Sequence, residues 1–443
     1  MNKFAIKNAC IVNEGKSFTA TVFILNDVIE RITQDEHPDT SGYVVIDGTG
    51  KHLFPGVIDT HVHFRDPGLL HKGDMISESA AAAAGGVTGI ADMPNTIPQT
   101  TNIQHFNDKC RRAEETCLVN FSFYLGATND NLDELLNADP SRVIGVKLFM
   151  GSSTGNMLTD NEKTLENIFK HLRLPIVAHC EDEARIKNNI AKVKADCLDF
   201  SIHPIIRDAE ACFLSSEKAV NLATKYNTRL HLAHLSTQKE LSLLRNDIPL
   251  IEKKITGEVC VHHLWFSDGD YPAKSAQIKC NPAIKALSDR DSLRDALKSN
   301  LLDSVATDHA PHAWEEKRRP YFESPSGIPL VQHALPTMLE MARQGIFTLE
   351  QIVEKMCHNP ATLFHIEKRG FIREGYYADL VLLDLNDRWK VEPDNILYKC
   401  QWSPFQGFTF HSKILMTFVN GYPVWDNGTI NDAQKGKQLQ FKR

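Results

Sequence analysis

His61 and His63 alternate with apolar residues in Ile58-Asp-Thr-His-Val-His-Phe-Arg-Asp-Pro-Gly68. On a β-strand, side chains two apart leave the same face, so these two imidazoles would aim at one point. Imidazole suits zinc and other first-row metals. Lys147 sits in the apolar run Val143-Ile-Gly-Val-Lys-Leu-Phe-Met150. A buried ammonium must shed its charge or find a partner. Reaction with CO₂ is one solution, since the carbamate is an anion with two oxygens able to bridge two metals. Three more polar residues close apolar runs: His179 in Val177-Ala-His-Cys-Glu181, His234 in Leu232-Ala-His-Leu-Ser236, and Asp308 in Ala306-Thr-Asp-His-Ala-Pro-His312. Taken singly, His179 and His234 read as hydrogen-bonded strand histidines and Asp308 as a turn residue or helix cap. The six together point to a metal-dependent hydrolytic centre.

Such a set needs elements that bring it together. From residue 55 onward, short apolar strands alternate with helical patterns. The strands are expected at 56–64, 87–93, 120–125, 143–149, 175–180, 229–235, 255–263 and 303–308. Helices are expected at 75–84, 102–115, 161–171, 208–226, 238–247 and 289–300, with a loop or extra helix over 186–203. Eight strands, most followed by a helix, predict an α/β fold of the (β/α)₈ TIM-barrel kind, whose chemistry lies at the strand C-termini. Helices at 330–344 and 349–359 follow the last strand. Residues 1–54 and 366–443 are instead rich in strands and turns, which predicts one small β-sandwich domain made from both termini, with the 55–365 barrel inserted between them.

Composition excludes several function classes. Of 443 residues, 42% are hydrophobic and 24% charged, the balance of a globular protein, and the net charge of −7 makes nucleic acid and anionic membrane poor partners. No apolar stretch is long enough to span a bilayer, and the first residues lack a signal-peptide core. Ten cysteines without CxxC pairs suggest a reducing compartment, hence the cytoplasm.

Pro55-Gly-Val-Ile-Asp-Thr-His-Val-His63, Lys147, His179, His234 and Ala306-Thr-Asp-His309 resemble the cyclic amidohydrolases of the amidohydrolase superfamily, the dihydroorotase family most of all, over nearly the whole chain. The resemblance implies two Zn²⁺ ions. His61, His63 and Asp308 would hold one, His179 and His234 the other, with N6-carboxylated Lys147 as the bridge. Some relatives use an aspartate after strand four instead, but 150–157 has no acid. A metal-bridging hydroxide would attack the carbonyl, with Asp308 as general acid and base. The implied reaction interconverts N-carbamoyl-L-aspartate and L-dihydroorotate in pyrimidine (UMP) synthesis.

Arg65 bears on substrate choice. It follows His63 by two, and a guanidinium grips a carboxylate through paired hydrogen bonds. Dihydroorotate carries a ring carboxylate, whereas hydantoin, dihydrouracil and allantoin lack one. The alternative for Arg65 is an ion pair with Asp66. Asn95, Asn281 and His312 match family positions that contact substrate; each could also be a turn former. His262 and His263 are expected to be structural, and 151–156 to be a mobile lid. The resemblance leaves room for a homodimer and for association with aspartate carbamoyltransferase. Two other readings stay open: a hydantoinase, dihydropyrimidinase or allantoinase, and a scaffold without activity.

Overall fold

The computed structural model describes residues 2–151, 157–159, 161–194 and 198–443. Of the expected lid, 152–156 fall outside the described residues. The N-terminal segment forms β1 (Lys3–Asn13), β2 (Lys16–Leu25), β3 (Val28–Thr33), β4 (Val44–Asp47) and β5 (His52–Pro55). The central part contributes β6 (Val57–Val62), β7 (Val87–Asp92), β8 (Asn120–Phe123), β9 (Leu125–Gly126), β10 (Val146–Phe149), β11 (Ile176–His179), β12 (Leu230–Leu232), β13 (Ile255–Cys260) and β14 (Ser304–Ala306). After it come β15 (Leu380–Asp384), β16 (Trp389–Lys390), β17 (Thr409–Phe410), β18 (Lys413–Val419), β19 (Tyr422–Asp426) and β20 (Thr429–Ile430).

The two ends of the chain share one nine-stranded sheet, ordered β20-β19-β18-β15-β5-β1-β2-β3, with β4 also on β1. The pairings of β1 with β4 and β5 are parallel, and β5 pairs antiparallel with β15. β5 escaped the sequence reading because it is four residues long and follows directly on a Gly-Thr-Gly turn.

The central strands make two parallel sheets, β6-β7-β8 and β14-β13-β12-β11-β10-β9. β8 and β9 belong to one run of chain, so 120–126 passes from one sheet into the other. At the opposite junction Val62 bridges His309 in parallel, and the His63 amide donates to the His309 carbonyl at 2.7 Å. All residues of β6, β7, β10 and β11 are buried, as parallel strands covered on both faces require.

Helices begin where capping residues stand. Asp74, Asn102, Asn161 and Asp208 each accept from a first-turn amide, opening Met75–Ala84, Ile103–Thr116, Glu162–His171 and Ala209–Tyr226. In the first of these, Ala81 to Ala84 are buried, and small side chains let the helix lie close to its neighbours. Two expectations change. The helix over 238–247 is only the 3₁₀ turn Lys239–Leu243, because Glu240 turns inward to accept from Ser216 and Thr237. The strand over 255–263 stops at Cys260, and a short helix, Val261–Trp265, carries His262 and His263.

Candidate active site

The ten residues singled out in the sequence line one cavity of about 310 Å³. Its floor is built from strand ends. β6 delivers His61, and His63 follows just past its end; β10 carries Lys147 and β11 ends on His179. His234 and Asp308 come two residues after β12 and β14. Arg65, His234 and Asp308 hold left-handed backbone at φ 67°, 39° and 46°. Each such residue costs on the order of 1–3 kcal/mol, a strain typical of sites where side-chain direction matters more than stability. Gly68 allows the turn after Arg65: at φ 90°, a Cβ there would sit 2.2 Å from the Ile97 carbonyl oxygen.

Asp308 Oδ1 lies 3.3 Å from His61 Nε2 and 3.0 Å from His63 Nε2. The outer nitrogens of both rings are already engaged. His61 Nδ1 is 2.5 Å from Glu258 Oε1, and His63 Nδ1 is 2.7 Å from Asn95 Oδ1. Those acceptors assign the ring protons to Nδ1, so both Nε2 lone pairs face a carboxylate oxygen. Lone pairs crowded against each other are what a cation relieves. Ligand atoms of His61, His234 and Asp308 all fall within 4.8 Å of one another. On the other side, His179 Nδ1 is 2.9 Å from His234 Nε2, while His179 Nε2 donates to Glu181 Oε2 at 3.1 Å. His234 Nδ1 has no hydrogen-bond partner.

Lys147 is 1% exposed, and among the described residues its Nζ has no hydrogen-bond partner; the Phe149 ring centroid is 5.2 Å away. Burial pulls its pKa below that of an ordinary lysine. A buried amine that loses its proton more readily than an ordinary lysine, and lines a cavity with imidazoles, is suited to react with CO₂. The donor set thus fits divalent metal.

Electrostatics divide the groups. Burial pushes the Asp308 carboxyl up, and a proton on His61 or His63 facing it would pull it well below the carboxylate range. Burial also lowers His63 to about 4 and His234 well below its usual value, so both rings are neutral at pH 7. Glu181 stays ionised, with a pKa of about 2, because Arg207 and His179 overcome the burial penalty.

Arg65 is 6% exposed. Its Nε donates to the Pro311 carbonyl at 3.1 Å, and Nη2 lies 3.2 Å from His312 Nε2. Among the described residues no carboxylate stands within 4.0 Å of the guanidinium. Asp66 is not its partner, since Asp66 pairs with Arg112 and accepts from the Met75 amide. Lys72 Nζ is 3.1 Å from His312 Nδ1, adding a second cation at this end of the cavity. The Asn281 Oδ1 is buried without a hydrogen-bond partner.

Sequence reasoning missed Glu258, Glu181 and Arg207. Glu258 is an acid in the apolar strand β13, the same signal that drew attention to Lys147. It accepts from the His234 amide at 3.3 Å and lies 3.3 Å from His231 Nε2, besides holding His61. Glu181 stands two residues after His179 and could have been suspected as its orienting carboxylate.

The signature of the amidohydrolase family matches residues 52–424. A dihydroorotase of Staphylococcus epidermidis is 31% identical, over 95% of this chain and 99% of that protein. A dihydroorotase of Methanosarcina acetivorans is 32% identical, over 98% of this chain and 94% of that one. The L-hydantoinase (dihydropyrimidinase) of Arthrobacter aurescens superposes with a TM-score of 0.94 at 26% identity, over the whole of both chains. The chain belongs to the amidohydrolase family, and curated relatives that it matches along almost their full length are dihydroorotases.

Proposed function

We infer that the chain is a dihydroorotase, interconverting N-carbamoyl-L-aspartate and L-dihydroorotate. The observation that carries this choice of ring is Arg65, a buried guanidinium facing the cavity with no carboxylate of its own. A buried cation of this kind selects a substrate that brings the missing anion. Dihydroorotate brings one on its ring. The dihydroorotases among the relatives support the same reading. The likeness to the L-hydantoinase favours a second reading, opening of a ring without a carboxylate. Ring-opening assays with L-dihydroorotate, hydantoin, dihydrouracil and allantoin separate the two, and absence of turnover with dihydroorotate overturns the first.

In this reading His61, His63 and Asp308 would hold one Zn²⁺ and His179 and His234 a second, with carboxylated Lys147 contributing to both. Ions bound there would supply hydroxide at neutral pH and polarise the carbonyl under attack. The chain's own residues do the rest. Asp308, ionised at pH 7 and 12% exposed on the cavity side, takes the proton of the attacking water and returns it to the leaving ring nitrogen. Arg65, assisted by Asn95 and His312, fixes the ring through its carboxylate, and Asn281 meets the ring's polar edge. Glu258 and Glu181 hold His61 and His179 in the ligating tautomer.

The same inference extends to architecture. The eight strand runs from β6 to β14 form a (β/α)₈ barrel over 55–365, supported by the Val62–His309 bridge and the continuous 120–126 run. Residues 1–54 and 366–443 form the composite β-domain, supported by the β5–β15 pairing. A cytoplasmic location fits the nine described cysteines, all free. No described helix is long and apolar enough to cross a membrane. A homodimer, or a complex with aspartate carbamoyltransferase, would be detected by light scattering of the purified protein alone and mixed.

A further inference from the structure

Cys260, His262 and His263 make a second cluster of ligand atoms, outside the lining of the cavity. β13 ends on Cys260, and the helix Val261–Trp265 that begins at once supplies both histidines. All three residues are at most 3% exposed. The two imidazole centroids are 4.2 Å apart, and one ligand atom from each of the three side chains lies within 4.8 Å of the others. Tetrahedral zinc, with bonds of ~2.3 Å to sulfur and ~2.0 Å to nitrogen, needs ligand atoms about 3.3–3.7 Å apart.

The hydrogen bonding leaves lone pairs at this spot. His263 Nε2 donates to the Pro282 carbonyl at 3.1 Å, which makes Nδ1 the bare nitrogen, and Nδ1 has no hydrogen-bond partner. Fixing one ring nitrogen on a carbonyl so that the other can ligate is how metal-binding histidines are oriented. Neither nitrogen of His262 has a hydrogen-bond partner in acceptable geometry, although the Thr307 backbone is near enough to favour the charged ring. Buried polar atoms left this way cost about 1–3 kcal/mol each. A bare nitrogen on each ring beside a thiol, on adjacent turns of chain, is not explained by packing.

We propose that Cys260, His262 and His263 supply three ligands to a Zn²⁺-class ion at a site separate from the hydrolytic centre. One thiolate and two imidazoles suit a borderline-soft ion and disfavour magnesium or calcium. Uptake releases the Cys260 thiol proton to solvent. Glu258 lies two residues before Cys260 on the same face of β13, so the ion braces the strand that holds His61.

Cobalt tests this without relying on turnover. The full-length protein is stripped with chelator, reconstituted with Co²⁺ and read by absorption and metal analysis. The wild type should show a near-ultraviolet thiolate-to-cobalt charge-transfer band. Cys260→Ala should lose that band and one equivalent of cobalt while keeping the cobalt of the hydrolytic centre. Absence of the band in the wild type, its survival in Cys260→Ala, or equal cobalt in the two proteins overturns the proposal. X-ray absorption on zinc-loaded wild type needs no variant: a sulfur neighbour at about 2.3 Å supports the site, and nitrogen and oxygen neighbours alone refute it.

Discussion

Arg65→Met tests the proposed role of this guanidinium in choosing the ring. The substitution keeps an unbranched side chain of similar length but removes the charge and the bond from Nε to the Pro311 carbonyl. Arg65 is 6% exposed and meets no carboxylate among the described residues, so its pair with a substrate carboxylate would be desolvated on both sides. Truncating one member of a buried, hydrogen-bonded charge pair costs about 3–5 kcal/mol. That converts to a loss of kcat/KM for dihydroorotate between about a hundred-fold and a few thousand-fold. The assay follows dihydroorotate and dihydrouracil in parallel, with metal content measured on the same samples. Any turnover of dihydrouracil, which lacks the carboxylate, should hardly change, and bound metal should stay at the wild-type level because the His61 and His63 nitrogens face Asp308. A loss with dihydroorotate smaller than about tenfold, or ~1.4 kcal/mol, would refute the pairing. An equal loss on both rings would assign Arg65 to general architecture instead.

Other expectations follow from the same geometry. Lys147→Ala should lose both activity and retained metal, with partial recovery in acetate or propionate; full activity in the variant would exclude a bridging carbamate. Glu258→Gln keeps the shape of the carboxylate but weakens its hold on His61, and metal affinity should drop about 10- to 100-fold by competition titration. Unchanged affinity would mean that Glu258 only fills space. His333 offers a test of stability away from the site. Burial lowers its pKa to about 3, and its Nδ1 accepts from Tyr398 and Ser403. The unfolded ring titrates near ~6.5, so this contribution is complete above that pH and is lost as pH falls toward the folded value. At pH 5 the loss is about 2 kcal/mol. Urea unfolding at pH 7 and pH 5 should show this difference in the wild type and less of it in His333→Gln; equal pH dependence in both would contradict the assignment.

The residues that line the floor of the cavity were legible because they break local rules. An ammonium amid Val, Leu and Phe, or imidazoles closing apolar strands, are costly unless something compensates, and periodicity says which face they share. The helix ranges were legible from their pattern, and the structure shows Asp74, Asn102, Asn161 and Asp208 capping their starts. What escaped depends on distance through space. Glu258 could be seen to be odd but not to reach His61, which is 197 residues away in sequence. Nothing local shows that β13 ends at Cys260 rather than at His263, since Val261-His-His-Leu-Trp265 fits either strand or helix. The four residues of β5 carry too little pattern to declare a strand, and their partner β15 lies far downstream.

That last pairing has a consequence for synthesis. Leu53 meets Leu382, so a ribosome must add about 330 residues after β5 before its partner on that side exists. Until then one flank of the nascent sheet presents unpaired amides and carbonyls, the template on which strands of other chains add. The central strands, by contrast, find their neighbours in order of emergence. Folding of this protein is therefore paced at its first fifty residues by its last hundred, and contacts of such long sequence separation are slow to form. The interval in which a chaperone matters most is set by the distance between β5 and β15.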